Sequence, residues 1–421
     1  MSAESVIRES VEFPPGKIIS GRWKIISQIG HGGCAIVYQV QDVNQVNLKA
    51  ALKVESNYID NGVLKMEADV LKKLGDRKYT IKLLHSGKRQ DYSFLVLTLC
   101  GPDLDRLRER RNTRTFSEST ILRVGVHCLY AIKQLHEIGY VHRDIKPSNM
   151  VIGAEETDRR LIYLIDYGMV RAYAVQVAGK WKFKKPRYDV ALRGTIRYCS
   201  VNVHRKKEQG RVDDLWSLVY LLAELQGPLP WYKCKSTLRL PALKEEFDDE
   251  KNKSLKNLEC LREIASHLRS CSFADRPNYM LVYLALMRQI RAKGFRFKDP
   301  YDWEKDDHDF GASNFSESSN SEGASKAEKE PSVETNREER TQDCHTPPRG
   351  SDESVEPPVV VQKPILLSLP ETAESREDEA LFPTIRSSNF EQNPGDVPTH
   401  TFPEEKEHKV SKKRSKKIRQ G

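Results

Sequence analysis

One segment, "YVHRDIKPSNMVIG" at residues 140–153, constrains the fold of this chain more than any other. Within six residues it carries Asp144, Lys146 and Asn149, and it follows a long stretch of helical periodicity. A second acidic residue, Asp166, lies 22 residues after Asp144 in the stretch "LIYLIDYGMVR". Taken singly, each of these side chains could cap a helix or stabilise a turn. Their joint order and spacing predict one shared polar site.

These polar side chains suit the transfer of a phosphoryl group to a hydroxyl group. Catalysis of that reaction consists mainly of positioning and of neutralising charge, because its transition state is loose. We expect Asp144 to accept or orient the proton of the attacking hydroxyl, and Lys146 to reach the transferred phosphate. Asn149 and Asp166 are expected to bind the Mg²⁺ ions that bridge the phosphates. The pattern therefore predicts ATP and Mg²⁺ as cofactors.

The same residues resemble the protein-kinase signature H-R-D-x-x-x-x-N followed by D-F-G. Tyr167 stands in place of the Phe, which keeps an aromatic ring for packing and adds a hydroxyl. Two earlier charges fit the same signature: Lys53 in the strand-like stretch "AALKVE", and Glu67 in the helical stretch "LKMEADVLKKL". Either charge alone would be an ordinary surface residue. Their order and separation predict the Lys–Glu ion pair of an active kinase, in which Lys53 also holds the α- and β-phosphates.

A glycine-containing stretch, "IGHGGCAIVY" at residues 29–38, precedes these charges. Loops of this kind grip phosphates when they read G-x-G-x-x-G, but here Ala35 stands at the third glycine position. Two or three glycines near a strand often form only a turn. With the remaining residues of the signature present, we predict that this loop binds ATP.

Apolar side chains and a hinge are expected to complete the nucleotide site. The segment "LTLCGPDL", residues 97–104, would form the hinge, with Leu97 at the back of the pocket. The backbone of Thr98 and Cys100 would face the adenine edge, and Asp103 would reach the ribose. The apolar residues that would sandwich adenine, which would fit an ordinary core equally well, are Ile29, Val37, Ala51 and Val151. The full set of expected nucleotide contacts is Ile29, Gly30, His31, Gly32, Gly33, Cys34, Ala35, Ile36, Val37, Ala51, Lys53, Leu97, Thr98, Cys100, Asp103 and Val151.

The segment from Gly168 to Thr195, which we call the activation segment, contains the basic run "KWKFKKPR", residues 180–187, and also Arg193. These Lys and Arg side chains could receive an acidic or phosphorylated substrate. Alternatively they could form a solvated basic loop. Thr195 is expected to lie beside Asp144 and to orient the loop that carries it.

Two carboxylates further along the chain have expected structural roles. Asp214 would brace the backbone of the catalytic loop, by which we mean residues 142–149. The stretch "SVNVHRKKEQG" stands where kinases carry A-P-E, and its Glu208 is a candidate partner for Arg276.

Charge is distributed unevenly along the 421 residues. Residues 1–300 have a net charge of +18, and residues 301–421 have a net charge of −9. The basic part should attract acidic or polyanionic partners, but no nucleic-acid-binding signature accompanies it. Eight cysteines without a C-x-x-C pair favour a reducing compartment. With a charged N-terminus and no apolar run long enough to cross a bilayer, we expect a cytoplasmic or nuclear protein and a buried helix at "LWSLVYLLAEL".

Periodicity predicts an α+β protein with a β-rich front that contains one helix, followed by a mainly helical back. Helices are expected at 63–74, from Ser117 or Ser119 to Gly139, and at 213–226, 258–270 and 278–293. The predicted organisation is an N-terminal extension at 1–22, a two-lobed domain at 23–303 divided near 98, and a low-complexity tail at 304–421 that we expect not to fold. Within the tail, the apolar patch at 357–370 is either a docking segment or chance hydrophobic content. The basic end at 411–421 suggests nuclear import, a grip on an acidic lipid or filament surface, or a solvated tail without a specific role.

Residues 23–303 resemble the casein kinase I superfamily, and within it the tau-tubulin kinases. The stretches that carry the resemblance are "RWKIISQIG", "ALKVES", "VLKMEADVLKKL", "HRDIKPSNM", "RGTIRYCSVNVH", "GRVDDLWSL", "PLPWYK" and "YDWEK". The resemblance implies a bilobal kinase fold and ATP- and Mg²⁺-dependent phosphorylation of serine or threonine, often at acidic or pre-phosphorylated sites. The family usually has an aromatic residue where Cys34 stands, so we expect a weaker cover over the phosphates and a thiol near the nucleotide.

Two other functions are compatible with parts of this sequence. One is a pseudokinase that binds partners without catalysis, although such proteins generally lack one of the residues corresponding to Lys53, Asp144 or Asp166. The other is a scaffold that binds polyanionic or cytoskeletal partners through the basic surface and tail. We expect an active, monomeric kinase with protein substrates.

Overall fold

The computed structural model of the chain describes residues 11–32, 35–58, 63–75, 77–247, 255, 257–305, 390, 392 and 397. Alternating and continuous apolar stretches in the front part form one antiparallel sheet in the order β1-β2-β3-β4-β6-β5. Its strands are β1 (Ile18–Ile19), β2 (Trp23–His31), β3 (Ala35–Asp42), β4 (Lys49–Ser56), β5 (Leu83–Lys88) and β6 (Tyr92–Thr98). The helix α1 (Val63–Leu74) lies between β4 and β5 along the chain and contacts β5 and β6. We call this part the N-lobe.

Alternation along β3 divides its side chains between two faces. Ile36, Tyr38 and Val40 are buried in the N-lobe core together with Trp23. Val37 points to the opposite face, beside the backbone of Lys53 on β4. The strand thereby supplies both a core and one wall of the cleft between the lobes.

The back of the molecule, the C-lobe, is mainly helical. Its helices are α2 (Leu104–Glu109), α3 (Glu118–His136), α4 (Val201–His204), α5 (Arg211–Gln226), α6 (Leu240–Glu245), α7 (Cys260–Arg269), α8 (Tyr279–Ala292) and α9 (Asp302–Lys305). Its short strands are β7 (Cys100–Asp103), β8 (Tyr140–Val141), β9 (Met150–Gly153), β10 (Ile162–Leu164), β11 (Arg171–Ala172), β12 (Ala174–Val177) and β13 (Lys180–Phe183). They pair as β10-β9-β7, as β11-β8 and as the hairpin β12-β13.

The helix α3 is the centre of the C-lobe core. It begins after Ser117, whose hydroxyl accepts a hydrogen bond from the backbone N–H of Thr120, so the first of the two expected caps is the one used. It packs against α5 and α8. Gly125 suits the close contact with α5, because a Cβ at that position would meet the side chain of Leu222 at 3.0 Å and force it to shift. This packing fixes the end of α3 from which the chain runs to the catalytic loop.

The fold class predicted from the sequence is confirmed. The helix at 63–74 has the expected bounds, and α5, α7 and α8 begin and end within two residues of the expected ones. The apolar run at residues 215–225 lies in α5 and is buried, as predicted. Among the described residues, no helix is both long enough and apolar enough to span a membrane.

Candidate active site

The catalytic loop follows β8 directly, and its backbone is held by Asp214, near the start of α5. One carboxylate oxygen of Asp214 accepts a hydrogen bond from the backbone N–H of His142 at 2.7 Å, and the other accepts one from Arg143 at 2.9 Å. Arg143 adopts a positive φ of 69°, a strained conformation that needs such external support. Burial opposes ionisation of Asp214, but the hydrogen bond with His136 outweighs it, so the pKa of this carboxyl lies below its usual range. The carboxylate therefore stays charged and fixes the loop.

Asp144 is almost fully buried and is held from two sides. Its Oδ1 accepts hydrogen bonds from the backbone N–H and the hydroxyl of Thr195, at 2.9 and 2.8 Å. Its Oδ2 lies 2.8 Å from the ammonium of Lys146. Asn149 donates from Nδ2 to the backbone oxygen of Asp144 at 2.9 Å, in a short 3₁₀ turn, Pro147–Asn149. The carboxylate is thus oriented before any substrate arrives.

The approach of Thr195 depends on the residue before it. Gly194 has a φ of +99°, and a Cβ there would overlap the carbonyl oxygen of Arg143. Only glycine avoids that overlap, and it also adopts this φ without strain. The activation segment and the catalytic loop can therefore meet backbone to backbone.

Three charges from different elements meet in the cleft between the lobes. The ammonium of Lys53, on β4, lies 2.7 Å from Glu67 Oε2 on α1 and 2.9 Å from Asp166 Oδ1. The side chain of Glu67 is buried, whereas 48% of the Asp166 side chain is exposed towards the cleft. Burial opposes the charge of Lys53, but its two carboxylate partners prevail and raise its pKa above the ordinary value. Burial likewise tends to raise the pKa of Asp166, and the Lys53 ammonium lowers it to about 2.

Tyr167 connects this charge cluster to the core. Its backbone N–H donates to Glu67 Oε1 at 3.3 Å, and its buried hydroxyl donates to the backbone oxygen of Leu164 at 2.9 Å. The ring lies edge-to-face against His142, at 5.7 Å between ring centroids. The hydroxyl that distinguishes Tyr from Phe thus has a partner, and the ring serves for packing.

The chemistry of the donor set suits a hard divalent cation. The carboxylate of Asp166 faces the cleft. The amide nitrogen of Asn149 donates to Asp144, so the amide oxygen of Asn149 is the atom that can bind a ligand. Mg²⁺ prefers oxygen ligands of this kind and retains several waters. These two residues therefore fit the ion that the sequence predicts.

The expected adenine pocket is partly assembled. Leu97 and Val151 are buried, and Val37 and Ala51 are half-buried on neighbouring strands of the N-lobe sheet, as is Ile29 at the end of β2. The side chain of Ile36 packs in the N-lobe core, so of this residue only the backbone can serve a nucleotide site. That placement follows from the alternation along β3.

The glycine-containing stretch is described in part. Gly30 and His31 pair with Val37 and Ile36 in the β2–β3 ladder. The backbone N–H of Gly32 donates to the carbonyl of Ala35 at 2.8 Å. The remaining two expected contacts, Gly33 and Cys34, lie outside the described residues, so the weaker cover remains a prediction.

The hinge connects β6 to β7. The backbone N–H of Thr98 donates to Lys82 at 3.0 Å, and Cys100 pairs with Gly153 across β7 and β9. Asp103 accepts a hydrogen bond from the backbone N–H of Arg106 at 2.9 Å and so caps α2. A contact between Asp103 and a ribose remains a prediction.

The basic run of the activation segment forms a hairpin with an alternating pattern. Trp181 and Phe183 face inwards and are half-buried, while Lys180 and Lys182 are exposed. The two-residue turn consists of Ala178 and Gly179, both with positive φ, as a tight hairpin turn requires. Lys184, Lys185 and Arg193 are also exposed. A row of exposed cations therefore lies on the segment that leads to Thr195.

The expected pairing of Glu208 with Arg276 is wrong. Glu208 lies 2.6 Å from Arg187 and 3.3 Å from Arg171, whereas Arg276 pairs with Glu137 at 2.6 Å. Burial tends to raise the pKa of Glu208, but these arginines lower it. Glu208 thus holds the activation segment through its arginines instead of holding the helical back of the C-lobe.

Several supporting residues carry no signal in the sequence. His136, the last residue of α3, contacts Asp214 Oδ2 at 2.8 Å and the hydroxyl of Tyr279 at 2.7 Å. Lys244, on α6, donates to the backbone oxygens of Ile196 and Cys199 at 2.7 and 2.6 Å. Both are fixed by partners distant along the chain, which no local pattern specifies.

Comparison with known proteins places the chain among the kinases. The family model described as "Protein kinase domain" matches residues 23–279, which is more than half of the chain. A Caenorhabditis elegans protein provisionally named a serine/threonine-protein kinase is 37% identical over 291 residues, covering 69% of this chain and 84% of the relative. A second protein from that organism, provisionally named a casein kinase I, is 32% identical over 307 residues, covering 70% of this chain and 87% of the relative. An inactive tau-tubulin kinase of the same organism is 32% identical over 255 residues, covering 58% of this chain and 88% of the relative.

Proposed function

The chain belongs to the protein kinase family, and from that premise we propose that it is an active enzyme that transfers the γ-phosphoryl group of ATP to serine and threonine hydroxyls of proteins. The observation that carries this proposal is the convergence of two groups of residues on one cleft. Lys53, Glu67 and Asp166 form one ion-paired cluster, and Asp144 is oriented by Thr195 in the other. An inactive binding protein has no need of both.

We assign Asp144 the task of receiving the substrate hydroxyl. Because Thr195 occupies its Oδ1 with two hydrogen bonds, Oδ2 is the oxygen available to accept a proton from the attacking hydroxyl. Lys146 lies against that same oxygen at 2.8 Å, and its mobile ammonium can turn to the transferred phosphate when one is bound. A hydroxyl held between these groups is aligned for attack.

We assign Lys53 to the α- and β-phosphates and Asn149 with Asp166 to Mg²⁺. Glu67 keeps Lys53 extended into the cleft, since its carboxylate is buried and its position on α1 is fixed by packing. Bound Mg²⁺ would neutralise phosphate charge in the transition state. Asp166 remains ionised at every physiological pH, because Lys53 lowers its pKa to about 2.

We propose in addition that the preferred substrates are acidic or pre-phosphorylated, as in the casein kinase I group and its tau-tubulin kinase branch. The exposed cations of the activation segment support this preference, because they belong to the same segment as Thr195, which contacts Asp144. The test compares KM for an acidic and a neutral peptide in the double variant Lys184→Ala/Lys185→Ala. A matched control replaces two exposed N-lobe lysines, Lys24→Ala/Lys88→Ala. If acidic substrates are preferred, Lys184→Ala/Lys185→Ala should raise KM for the acidic peptide more than KM for the neutral peptide. The control variant should show no such difference.

A second candidate is a non-catalytic binding protein, and one relative favours it by its name, which describes an inactive tau-tubulin kinase. In this chain Lys53, Asp144 and Asp166 are all present and in contact with their partners. A polyanion-binding role of the basic surface would show as affinity that falls linearly with the logarithm of salt concentration and survives loss of Asp144.

The deciding experiment measures phosphate transfer from ATP to casein by the full chain and by Asp144→Asn. A matched control, Asp91→Asn, changes an exposed carboxylate at the β5–β6 turn. Activity should be retained in the control and should fall by about a thousand-fold or more in Asp144→Asn, because the hydroxyl loses its proton acceptor. Equal background signals from the wild type and Asp144→Asn would refute the proposal.

A further inference from the structure

Two apolar side chains from the C-terminal part of the sequence are as buried as the core of the C-lobe. Phe390 retains 2% of its accessible surface, and Val397 retains none. Residues on either side of these positions are mostly polar, so neither belongs to a continuous hydrophobic stretch. Burial of this degree in a polar segment requires a specific site on the folded domain.

The site of Phe390 lies between two helices. Its ring stacks on that of Tyr283, on α8, with 4.5 Å between centroids and 23° between planes. The ring of Tyr130, on α3, meets it edge-on at 6.1 Å. Stacked and edge-on contacts of this geometry are favourable beyond the apolar area they bury. Phe390 is thereby part of the main C-lobe core.

Val397 occupies a second site on the same lobe. It clusters with Val141 of β8, with Tyr173 and with Ala174 of β12. The inward-facing rings of the hairpin, Trp181 and Phe183, pack against this cluster. Val397 therefore lies where the strand that enters the catalytic loop meets the hairpin of the activation segment.

The two sites are joined by a polar contact within the segment itself. The side-chain amide of Gln392 donates to the backbone oxygen of Val397 at 3.1 Å. Val397 lies seven positions after Phe390, a separation that can span at most about 25 Å when the chain is extended. One short segment can thus occupy both sites at once.

We propose that Phe390 and Val397 anchor the C-terminal part of the chain on the C-lobe as an intramolecular strap, which holds the hairpin β12–β13 against β8. Its anchors are Phe390, between α3 and α8, and Val397, against Val141 and Tyr173. Tyr173 connects the site of Val397 to the interior of the C-lobe, because its hydroxyl donates to the backbone oxygen of His136 at 2.7 Å. His136 in turn contacts Asp214, which braces the catalytic loop. The consequence for substrates, stated below, rests on the proposed kinase function.

The structure favours docking of Phe390 and Val397 on the C-lobe of their own chain instead of on a second copy. Lys305 ends α9, and 84 residues separate it from Phe390. An unstructured chain of that length has a root-mean-square reach of about 50 Å, enough to return to the lobe from which it departs. Tethering also keeps the segment at a high effective concentration without a second molecule.

Hydrogen exchange of the full chain tests the docking without reference to activity. The strap variant is Phe390→Ala/Val397→Ala. The matched control, Phe382→Ala/Val361→Ala, makes the same two changes elsewhere in the C-terminal part. In the wild type and the control, residues 390–397 and the hairpin should be protected. In the strap variant, exchange over 139–141 and 173–183 should rise about ten-fold or more, and Tm should fall by several degrees.

Three outcomes would overturn the proposal. The first is exchange of residues 390–397 at unprotected rates in the wild type. The second is equal exchange of the hairpin in the wild type and the strap variant. The third is protection that depends on protein concentration over roughly a twenty-fold range, since that would place the segment on a second copy.

A kinetic measurement adds the functional consequence. The strap variant should raise KM for an acidic protein substrate several-fold and leave KM for ATP unchanged, because no residue of the hairpin is among the expected nucleotide contacts. If the wild-type chain shows no kinase activity, the proposed function is contradicted. The hydrogen-exchange result still tests the strap in that case. Unchanged KM values with increased exchange would refute the functional part alone.

Discussion

Thr195 donates two hydrogen bonds to a single oxygen of Asp144, from its backbone N–H at 2.9 Å and from its hydroxyl at 2.8 Å. The same hydroxyl lies 3.2 Å from the ammonium of Lys146. A residue of the activation segment therefore completes the geometry of the catalytic loop through its own backbone N–H and hydroxyl.

Thr195→Val removes the hydroxyl while keeping the backbone donor and the side-chain shape. We expect kcat to fall about ten-fold or more, because a hydrogen bond to a charged group contributes about 1.5–3 kcal/mol. KM for ATP should change little. Steady-state kinetics of Thr195→Val and Thr195→Ser distinguish this role, since the serine variant restores the hydroxyl. Equal kcat in the two variants would count against it.

Asp214→Asn tests the bracing of the catalytic loop. Asparagine cannot accept both backbone hydrogen bonds through equivalent oxygens, and it loses the charge that faces His136. Breaking a buried charged contact of this kind costs about 3–5 kcal/mol, so both Tm and kcat should decrease.

The neighbouring Asp213→Asn provides the matched control. Asp213 is also buried, but it binds the hydroxyl of Ser200 at 2.5 Å and the backbone N–H of Gly210 at 2.7 Å instead of the catalytic loop. It should lower Tm and reduce kcat less than Asp214→Asn does. A smaller effect of Asp214→Asn on kcat than of Asp213→Asn would contradict the assignment.

The burial of Lys244 should make the free energy of unfolding depend on pH. Burial lowers the pKa of this ammonium to about 8, and its hydrogen-bond acceptors at 2.6 and 2.7 Å are neutral carbonyls. In the unfolded chain its pKa is about 10.4, so between about pH 8 and pH 10.4 the unfolded state binds more protons than the folded state. The contribution of Lys244 to the free energy of unfolding therefore increases with pH across this window, by at most about 1.4 kcal/mol per pH unit.

Lys244→Met isolates that contribution. The difference in unfolding free energy between wild type and variant, measured by denaturant titration, should grow in favour of the wild type as pH rises through the window. The variant should also raise KM for protein substrates, since Lys244 holds the carbonyls of Ile196 and Cys199 directly after Thr195. A difference that stays constant with pH would show that the ammonium is not buried in this way.

The composition of the glycine-containing loop gives a further prediction. Cys34→Phe with Ala35→Gly restores the aromatic cap and the third glycine. We expect a lower KM for ATP, because the phosphates gain cover and the loop gains flexibility. The comparison with each single variant separates the two effects. No change in KM or kcat in the double variant would refute a weaker cover in the natural chain.

The relative placement of Asp144 and Asn149 could be predicted from the sequence because their spacing is local. Asp144 and Asn149 lie within one loop and one 3₁₀ turn, so their separation in sequence fixes their separation in space. The N-cap of α3 and the buried character of α5 follow likewise from short patterns.

Contacts between distant segments could not be predicted in the same way. Glu208 and Arg276 have suitable charges, yet each pairs with a different residue because the backbone paths bring other partners closer. Phe390 and Val397 belong to no helical or strand period, so nothing local separates them from chance apolar residues. The expected docking patch at 357–370 and the basic end at 411–421 lie outside the described residues.

The position of Glu208 affects how the activation segment of such an enzyme can be regulated. Many kinases order the activation segment around a phosphate that an opposing phosphatase can remove. Here the anion that gathers Arg171 and Arg187 is a carboxylate of the chain itself. A carboxylate cannot be hydrolysed away, so this anchor lasts as long as the polypeptide does. Synthesis and degradation of the protein, rather than a reversible mark at this point, set how long the anchor persists in a cell.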